Sequence, residues 1–481
     1  MQFLRPAFSQ ALPIKPMVNV GACLDIPTGT YVRGRYGEHI LNAGVAGMTG
    51  VVGLGNHFKS TIMNYMIMMV LARFRRSSGS SYDTEMNIHE DRLRHIISLV
   101  QELDNEDLIE TCRWIITDKT QHTGDEYFEI LKQFLNEKIA NKAKIPCVTP
   151  FLDRGGKSHL VIPMPTVGSV DSFTEFTTKD VLAMQEENEL GDSGANTVYM
   201  QQGRQKKRFL GELTGLAGGA MHYMFLTAHL GAVFNLNPKM PNQKKLQYLH
   251  QDTKIKGAPE NFSFLMNNCW HTSKAQLLIN QTTKAPEFPT NSEENQESGS
   301  TDLNVVTLVQ LRGKAGPSGF LVYIVVSQKD GVHPYLTEFY NIKESDKYGI
   351  SGSNTNYHLD LLPDVNLSRT TVRGKLETDK RLQRAVNITS EMCQIKRYYS
   401  DADEWLCTPK ELYDDIKALG YDWEVLLATR PWWTEDNDKH PVPFLSTKDL
   451  CMMRLQKYVP YWMTDDQVPA SCKHISREKA F

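Results

Sequence analysis

A glycine-rich loop with a Lys-Ser pair is the clearest chemical pattern in the 481-residue sequence. The residues Gly53-Leu54-Gly55-Asn56-His57-Phe58-Lys59-Ser60-Thr61 fit GxxxxGK[ST], except that Phe58 stands at the second glycine. In such a loop, inward-facing N–H groups and the amino end of the next helix bind a β-phosphate. Lys59 would bridge the β- and γ-phosphates, and Ser60 would bind Mg²⁺. An ordinary glycine-rich turn is the alternative.

The segments on either side of this loop have the patterns that the chemistry requires. Residues 47–53, GMTGVVG, predict a short apolar strand. Residues 60–76, STIMNYMIMMVLARFRR, predict a helix that is apolar nearly all round and therefore buried. A strand, a loop and a helix in this order favour phosphate binding over a chance turn.

The Phe before Lys-Ser resembles the phosphate loop of UvsX-type phage recombinases, a branch of the RecA-like ATPases. This resemblance implies that the cofactors are ATP and Mg²⁺. Tyr82-Asp83-Thr84-Glu85 is similar to the Tyr-Asp-Ser-Glu of those proteins, which implies that Glu85 orients the attacking water. Val-Asp-Ser at Asp171 is similar to the motif that holds Mg²⁺ through water. Helix capping at 83–85 and a simple turn at 171 are the alternatives.

The resemblance also implies a γ-phosphate sensor and two DNA-binding segments. His229 follows the apolar segment 222–228 and takes the sensor position, with a purely structural histidine as the alternative. The basic run 201–208 and the lysine-rich segment after His229 lie where the family binds single-stranded DNA. Solvated charged loops are the alternative for both. The candidate DNA-binding residues are Arg204, Lys206, Lys207, Arg208, Lys239, Lys244, Lys245, Tyr248, Lys254 and Lys256.

Two cations in a Gly- and Pro-containing turn complete the candidate set. Residues 310–319, QLRGKAGPSG, resemble the Lys-x-Arg-Asn-Gly-Pro-x-Gly turn of DnaB-like helicases, with Arg and Lys in reversed order. The segment also occupies the place of the paired basic residues of RecA-like recombinases. The resemblance implies that Arg312 and Lys314 reach the ATP site of a neighbouring subunit. A hairpin turn with incidental charges is the alternative.

Composition limits the classes of protein that need to be considered. The chain has 53 Lys+Arg and 56 Asp+Glu, a formal charge of −3, with 41% hydrophobic and 23% charged residues. These values are typical of a globular protein and exclude global disorder, collagen and coiled coil. The most apolar stretch, 62–74, is too short to span a membrane, and residues 1–16 have no signal-peptide pattern. The eight cysteines form no CxxC, which favours a reducing cytoplasm, the host cytoplasm for a phage protein.

Alternating strand and helix patterns predict an α/β protein with a RecA-like P-loop NTPase core and a mainly parallel twisted sheet. Further strands are predicted at 158–176, 220–230, 303–311 and 320–327. Helices are predicted at 91–103, 106–116 and 126–139.

Three regions are predicted along the chain. Residues 1–42 would be an N-terminal arm or oligomerisation segment, 43–344 the ATPase core, and 345–481 a helical C-terminal accessory region. The polar, acidic stretch 283–301 predicts a flexible insertion. The C-terminal helical patterns lie at 376–398, 408–420 and 446–457, among tryptophans expected to be buried.

The resulting functional expectation is an ATP-dependent recombinase that forms a filament on single-stranded DNA. Its implied partners are single-stranded DNA, further copies of the chain, and single-strand-binding or loader proteins. A hexameric DnaB-like replicative helicase is the alternative, and a non-motor ATP-binding scaffold is a third class.

Overall fold

The computed structural model describes residues 12, 14–187, 195–233, 246–296, 301–316, 318–345 and 347–477. Its strands are β1 Thr30–Arg33, β2 His39–Asn42, β3 Met48–Gly53, β4 Gly79–Asp83, β5 Trp114–Asp118, β6 Pro146–Leu152, β7 His159–Pro163, β8 Thr166–Asp171, β9 His222–Ala232, β10 Thr253–Ile255, β11 Asn268–Leu277, β12 Leu303–Gly313, β13 Leu321–Ser327, β14 Gly331–Val332, β15 Ile350–Ser353 and β16 Asn356–Leu359. Its α-helices are α1 Lys59–Arg73, α2 Glu90–Ser98, α3 Gly124–Ala140, α4 Lys179–Glu187, α5 Ala195–Ala220, α6 Phe262–Leu265, α7 Ser292–Gln296, α8 Pro334–Glu344, α9 Val372–Thr378, α10 Lys380–Tyr398, α11 Pro409–Leu419, α12 Trp423–Leu427 and α13 Thr447–Arg454. No described helix has the length and apolar character needed to cross a membrane.

A ten-stranded sheet organises the molecule. Its order is β14-β13-β12-β11-β3-β9-β8-β4-β5, with β10 paired to β9. The neighbouring strands β5, β4, β8, β9, β3 and β11 are all parallel, whereas β12, β13 and β14 continue the sheet as antiparallel neighbours. The predicted α/β class with a mainly parallel sheet is confirmed.

Both faces of the sheet are covered by helices. Adjacent residues of one strand point to opposite faces, so Val51 packs with α1 in one hydrophobic cluster and Val52 packs with α3 and α5 in another. A parallel sheet that is buried on both faces needs nearly continuous apolar strands, as the run Met224, Phe225 and Leu226 in β9 shows. Helix α1 is buried along most of its length, as its sequence predicts.

The segment expected to form a helix at 106–116 differs from its prediction. Residues 106–113 form turns and no helix, and the last three residues belong to the edge strand β5, which pairs in parallel with β4 from Gly79↔Trp114 to Asp83↔Asp118. The β-branched run Ile115-Ile116-Thr117 fits a pleated strand, and pairing with β4 outweighs the helical spacing.

The N-terminal and C-terminal regions share one hydrophobic core with strands and helices of residues 43–344. This core joins Ile26, Val305 and Phe339 to residues of α10 through α13. The Trp433 indole N–H donates to the Met17 carbonyl at 2.8 Å, and His39 contacts Asp449 at 2.8 Å. The boundaries at 42/43 and 344/345 stay a prediction, because this packing is continuous across both.

The expected flexible insertion is partly a packed segment. Among its described residues, Phe288 is fully buried in the shared core, and Glu287 forms an ion pair with Lys343. The acidic composition of the stretch did not indicate that Phe288 is buried or that Glu287 is paired.

A buried polar cluster ties three segments together. Asp25 accepts hydrogen bonds from the Val20 and Gly21 N–H groups at 2.9 Å. Glu338 of α8 accepts one from Asn387 of α10 at 3.0 Å. Burial raises the pKa of Asp25 to about 7 and that of Glu338 to about 8. Removal from water disfavours the charged form of each carboxyl, and mutual repulsion adds to that effect.

Glu338→Gln should become more stable than the natural protein as the pH rises from 5 to 8. In this window folded Glu338 keeps a proton that the unfolded chain releases, so the free energy of unfolding falls with rising pH. Glutamine removes that loss, and the difference should reach on the order of 2–4 kcal/mol at pH 8. Urea unfolding at several pH values measures it, with the exposed Glu344→Gln on the same helix as control. A difference independent of pH would contradict the assignment.

Candidate active site

The glycine-rich loop connects the carboxyl end of β3 to the amino end of α1. Gly53 closes β3 beside Thr272 of β11, and a Cβ there would lie 1.9 Å from the Thr272 hydroxyl oxygen. Only glycine fits this approach. Residues 54–56 are exposed, whereas Lys59 is buried at the start of α1.

Phe58 keeps the backbone conformation that the missing glycine would adopt. Its φ is +57° and its ψ is 25°, which is the left-handed region. A side chain other than glycine costs on the order of 1 kcal/mol there. The half-buried Phe58 ring packs against the apolar cluster around α1. The departure from the motif therefore changes a side chain and preserves the path of the loop.

The loop is arranged to receive an anion. Within the described structure, the N–H groups of 54–58 donate to no protein acceptor, and the loop stands at the start of α1, where the helix dipole is positive. The Lys59 ammonium donates to the Leu54 carbonyl at 2.7 Å. Burial lowers the pKa of Lys59, although Asp171 and Glu85 favour its charge. A phosphate here would offer this ammonium a stronger acceptor than a carbonyl.

The two predicted carboxylates meet beside the loop. Strands β4 and β8 are parallel neighbours with Asp83 opposite Asp171, so Glu85 lies just beyond the same edge of the sheet. The Glu85 Oε1 lies 2.7 Å from Nε2 of His229 on β9. Burial raises the pKa of Glu85, but Ser172, His229 and Lys59 outweigh it and leave the value below its ordinary range. Glu85 is therefore a carboxylate at neutral pH.

Asp83 holds the turn after β4 and does not cap a helix, because α2 begins only at Glu90 and His89 is its N-cap. Its two carboxylate oxygens accept from the N–H groups of Glu85 at 3.0 Å and Ile88 at 2.7 Å. The neighbouring Thr84 hydroxyl donates to the Ser172 carbonyl at 2.8 Å. Because these residues hold the turn, the Glu85 side chain is left to face His229.

Asp171 and Ser60 form an oxygen donor pair suited to Mg²⁺. Asp171 is 5% exposed and accepts a hydrogen bond from the Thr227 hydroxyl. Burial raises its pKa against the effect of the Ser60 and Thr227 hydroxyls, and the charges of Glu85 and Asp83 raise it further. A cation beside Asp171 would relieve this disfavoured charge, and a carboxylate with a hydroxyl matches the preference of Mg²⁺. The residues present therefore fit the ion.

The basic run 201–208 lies in helix α5, and not in the loop expected there. Five glycines within 195–220 weaken the helical signal, so the sequence concealed this long helix. Lys206 is buried, and its ammonium donates to the carbonyls of Thr174 at 2.7 Å and Gly257 at 2.8 Å. Burial lowers the pKa of Lys206 to about 8. Lys206 thus connects α5 to the segments around Thr174 and Gly257, and its ammonium is not exposed to solvent.

The other candidate DNA-binding residues divide into exposed and undescribed positions. Arg208 is exposed and pairs with Glu212 at 2.7 Å. Tyr248 packs against Gly319, at the end of the turn that carries Arg312 and Lys314. The exposed candidates are Arg204, Lys207, Arg208, Tyr248, Lys254 and Lys256. Lys239, Lys244 and Lys245 lie outside the described residues.

Arg312 and Lys314 lie at the opposite end of the sheet from their own phosphate loop. Arg312 pairs with Cys269, which pairs with Gly50, whereas Gly53 at the loop pairs with Thr272. Three residues of strand separate these levels by about 10 Å. The Arg312 guanidinium lies 4.9 Å from the ring centre of Phe264, which is 54% exposed. This position suits contact with a second molecule better than contact with the chain's own loop.

Two site residues were not anticipated from the sequence. Thr227 bonds Asp171, and Ser172 faces Glu85. Thr227 and Ser172 lie close to the predicted residues His229 and Asp171. The signal that could have found them is a polar residue at the end of an apolar strand. His57, a predicted residue of the loop, contacts the Thr272 carbonyl at 2.8 Å through Nδ1. His57 lies inside the loop motif, at a position where the motif allows any residue.

The matched variants Lys206→Gln and Lys207→Gln distinguish a role in the stability of the fold from a role in DNA binding. Lys206→Gln should lower the free energy of unfolding by about 1–3 kcal/mol, because two carbonyls lose their donor, and should leave the DNA affinity of the folded protein unchanged. Lys207→Gln should keep stability and weaken single-stranded DNA binding most at low salt. Urea unfolding and oligonucleotide anisotropy measure both effects. Equal losses of DNA affinity would show that buried Lys206 becomes exposed on DNA.

Comparison with known proteins adds one structural likeness. No protein-family model and no curated protein matches the chain. The chain is similar to a solved structure described as the crystal structure of the RadB recombinase, with 13% identity and a TM-score of 0.33. The match covers 61% of this chain and 93% of that chain. At these values the match carries no conclusion about function, and the site is argued from its own residues.

Proposed function

We propose that this protein is a RecA-like ATPase that acts on single-stranded DNA as a strand-exchange recombinase of the phage type. The observation that carries the proposal is a convergence of side chains at one edge of the sheet. Lys59 and Ser60 follow β3, Glu85 follows β4, Asp171 ends β8, and His229 lies near the end of β9. Hydrogen bonds and charge join these side chains, which are the parts that phosphoryl transfer to water requires.

In the proposed mechanism, the open N–H groups of 54–58 bind the phosphates. Lys59 leaves the Leu54 carbonyl and pairs with the β- and γ-phosphates. Ser60 and Asp171 would hold Mg²⁺, which neutralises phosphate charge when bound. Glu85 orients a water for in-line attack on the γ-phosphate. Its contact with His229 connects the state of the phosphate to β9 and to the segment that follows it.

Assembly follows from the position of the cations. Arg312 and Lys314 lie about 10 Å along the sheet from the level of their own loop, so in this proposal they complete the site of an adjoining copy. Each protomer then supplies a phosphate loop to one interface and cations to the other. Such a head-to-tail arrangement builds a filament or a ring.

Single-stranded DNA is the proposed polymer partner. Exposed Arg204 and Lys207 on α5 offer backbone neutralisation, and exposed Tyr248 offers a stacking surface beside Lys254 and Lys256. Charge with interleaved rings suits a flexible strand whose bases are unstacked. Single-strand-binding or loader proteins and a location in the host cytoplasm are further parts of the proposal.

A hexameric DnaB-like helicase is the second candidate. The turn at 313–319 favours it, because Gly319 allows close contact with Tyr248 and places a candidate DNA ring beside the candidate interface cations. Negative-stain microscopy with single-stranded DNA and a non-hydrolysable ATP analogue separates the two. Filaments support the recombinase, closed hexamers support the helicase, and no assembly contradicts both.

Glu85→Gln should retain ATP binding and lose hydrolysis by about 10²- to 10⁴-fold, because an amide does not accept the proton of the attacking water. Lys59→Ala should weaken ATP binding itself. Steady-state hydrolysis with and without single-stranded DNA and equilibrium binding of a labelled ATP analogue measure both variants. The exposed Glu90→Gln is the matched control and should hydrolyse ATP normally. Full turnover by Glu85→Gln would remove Glu85 from the mechanism.

A further inference from the structure

A large cavity lies away from the phosphate loop, between the core and the C-terminal region. Its volume is about 1140 Å³. It is bounded by the segment 19–25, the carboxyl-terminal half of α1, α8, α10 and residues 427–442. The loop lies at the other end of α1, so the cavity and the candidate active site do not overlap.

The inner wall of this cavity carries more carboxyls than cations. Asp25, Glu338 and Glu391 line it together with Arg384. All three carboxyls are less than 9% exposed, and Arg384 is 5% exposed. Arg384 donates to Asn387 and to the Leu445 carbonyl, both at 2.5 Å. Arg384 favours the charged forms of Glu338 and Glu391.

The remaining buried arginines of the lining are already committed. Arg73 donates to Glu102 at 2.9 Å and lies 4.0 Å from the Trp432 ring centre. Arg430 lies 4.7 Å from the centre of the same ring and donates to Asn437 and the Val442 carbonyl. Arg373 pairs with Asp302 at 2.8 Å. Arg73, which is shared with Glu102, also favours the charge of Asp25, so the three carboxyls are only partly balanced.

Two buried acceptors have no donor in the described structure. The Glu338 Oε2 and the Asn19 Oδ1 are both without a hydrogen-bond partner, and each residue is 3% exposed. The segment that contains Asn19 lies close to Glu338 of α8, because a Cβ on Gly21 would lie 4.0 Å from Glu338 Oε1. Arg384 Nε–H is one buried donor that also lacks an acceptor. Buried polar atoms of this kind are normally satisfied, so these atoms are available to a polar ligand.

The rest of the cavity wall is suited to an apolar body. Met68, Met69, Tyr335 and Leu376 also line it. Thioether and aromatic side chains adapt to ligands of varied shape.

We propose that this cleft binds a small organic ammonium compound with an apolar body, whose charged nitrogen donates to Glu338 Oε2 and Asn19 Oδ1. A primary ammonium has three donors and a positive charge, so it satisfies both acceptors and offsets the surplus of carboxyls. A hydroxyl on the ligand would accept from Arg384 Nε. Burial raises the pKa values of Asp25 and Glu338, so a cation beside them would favour their charged forms.

Three probes of equal shape and different charge test the proposal on the full chain. Isothermal titration calorimetry at pH 8 compares phenethylamine, 2-phenylethanol and 3-phenylpropionate. Phenethylamine should bind at least about tenfold more tightly than the alcohol, and the carboxylate should show no binding. Equal affinity for amine and alcohol, preference for the carboxylate, or no binding of the amine would overturn the proposal.

A matched pair of variants locates the bound nitrogen. Glu338→Gln should weaken phenethylamine binding by about tenfold or more, since a hydrogen bond to a charged group is lost. Glu377→Gln on the half-exposed rim of the same cleft should change it less than about twofold. Circular dichroism confirms that both variants are folded. Unchanged binding by Glu338→Gln would contradict the site, and neither outcome depends on ATP hydrolysis.

Discussion

The candidate active site depends on a carboxylate held out of water at the end of a parallel strand. Asp171 is buried where β8 ends, and its charge favours that of the buried Lys59 ammonium at the start of α1. Burial raises the pKa of Asp171, so its own charge is costly until a cation lies beside it. Because β3, β9, β8 and β4 run in parallel and in register, their ends deliver both charges, Glu85 and His229 to one place. The sheet therefore fixes the geometry of the site.

Local features of the site could be predicted from the sequence, because the loop motif and its flanking strand and helix occupy one short segment. The carboxylates were found by resemblance to short motifs, but their contacts were not predictable. Glu85 and His229 meet across 144 residues of chain, and only strand order brings them together. The burial of Lys206 was equally hidden, because a basic run indicates charge and does not show which lysine faces inward. Two elements were also predicted incorrectly. The glycines of α5 weakened its helical signal, and pairing with β4 made β5 a strand in spite of its helical spacing.

Helix α1 connects the phosphate loop to the proposed ligand cavity. Its amino end begins at the phosphate loop, and Met68, Met69 and Arg73 near its carboxyl end line the acidic cleft. Its interior is packed against the sheet, so it behaves as a rigid element between them. The N-terminal and C-terminal regions complete the cleft through Asp25, Arg384 and Glu391. These regions are therefore part of the folded unit that positions the loop. Their packing is continuous across the predicted boundaries at 42/43 and 344/345.

The central claim is that a phosphate loop on one copy works with cations lent by an adjoining copy. Mixing two inactive variants, Lys59→Ala and Arg312→Ala, tests it most directly. At equal amounts, about a quarter of the interfaces in a head-to-tail assembly would pair an intact loop with an intact arginine. The account predicts that ATP hydrolysis returns on mixing, whereas Lys59→Ala mixed with the double variant Lys59→Ala/Arg312→Ala stays inactive. A mixture no more active than its separate components, in assemblies shown to contain both variants, would contradict the account.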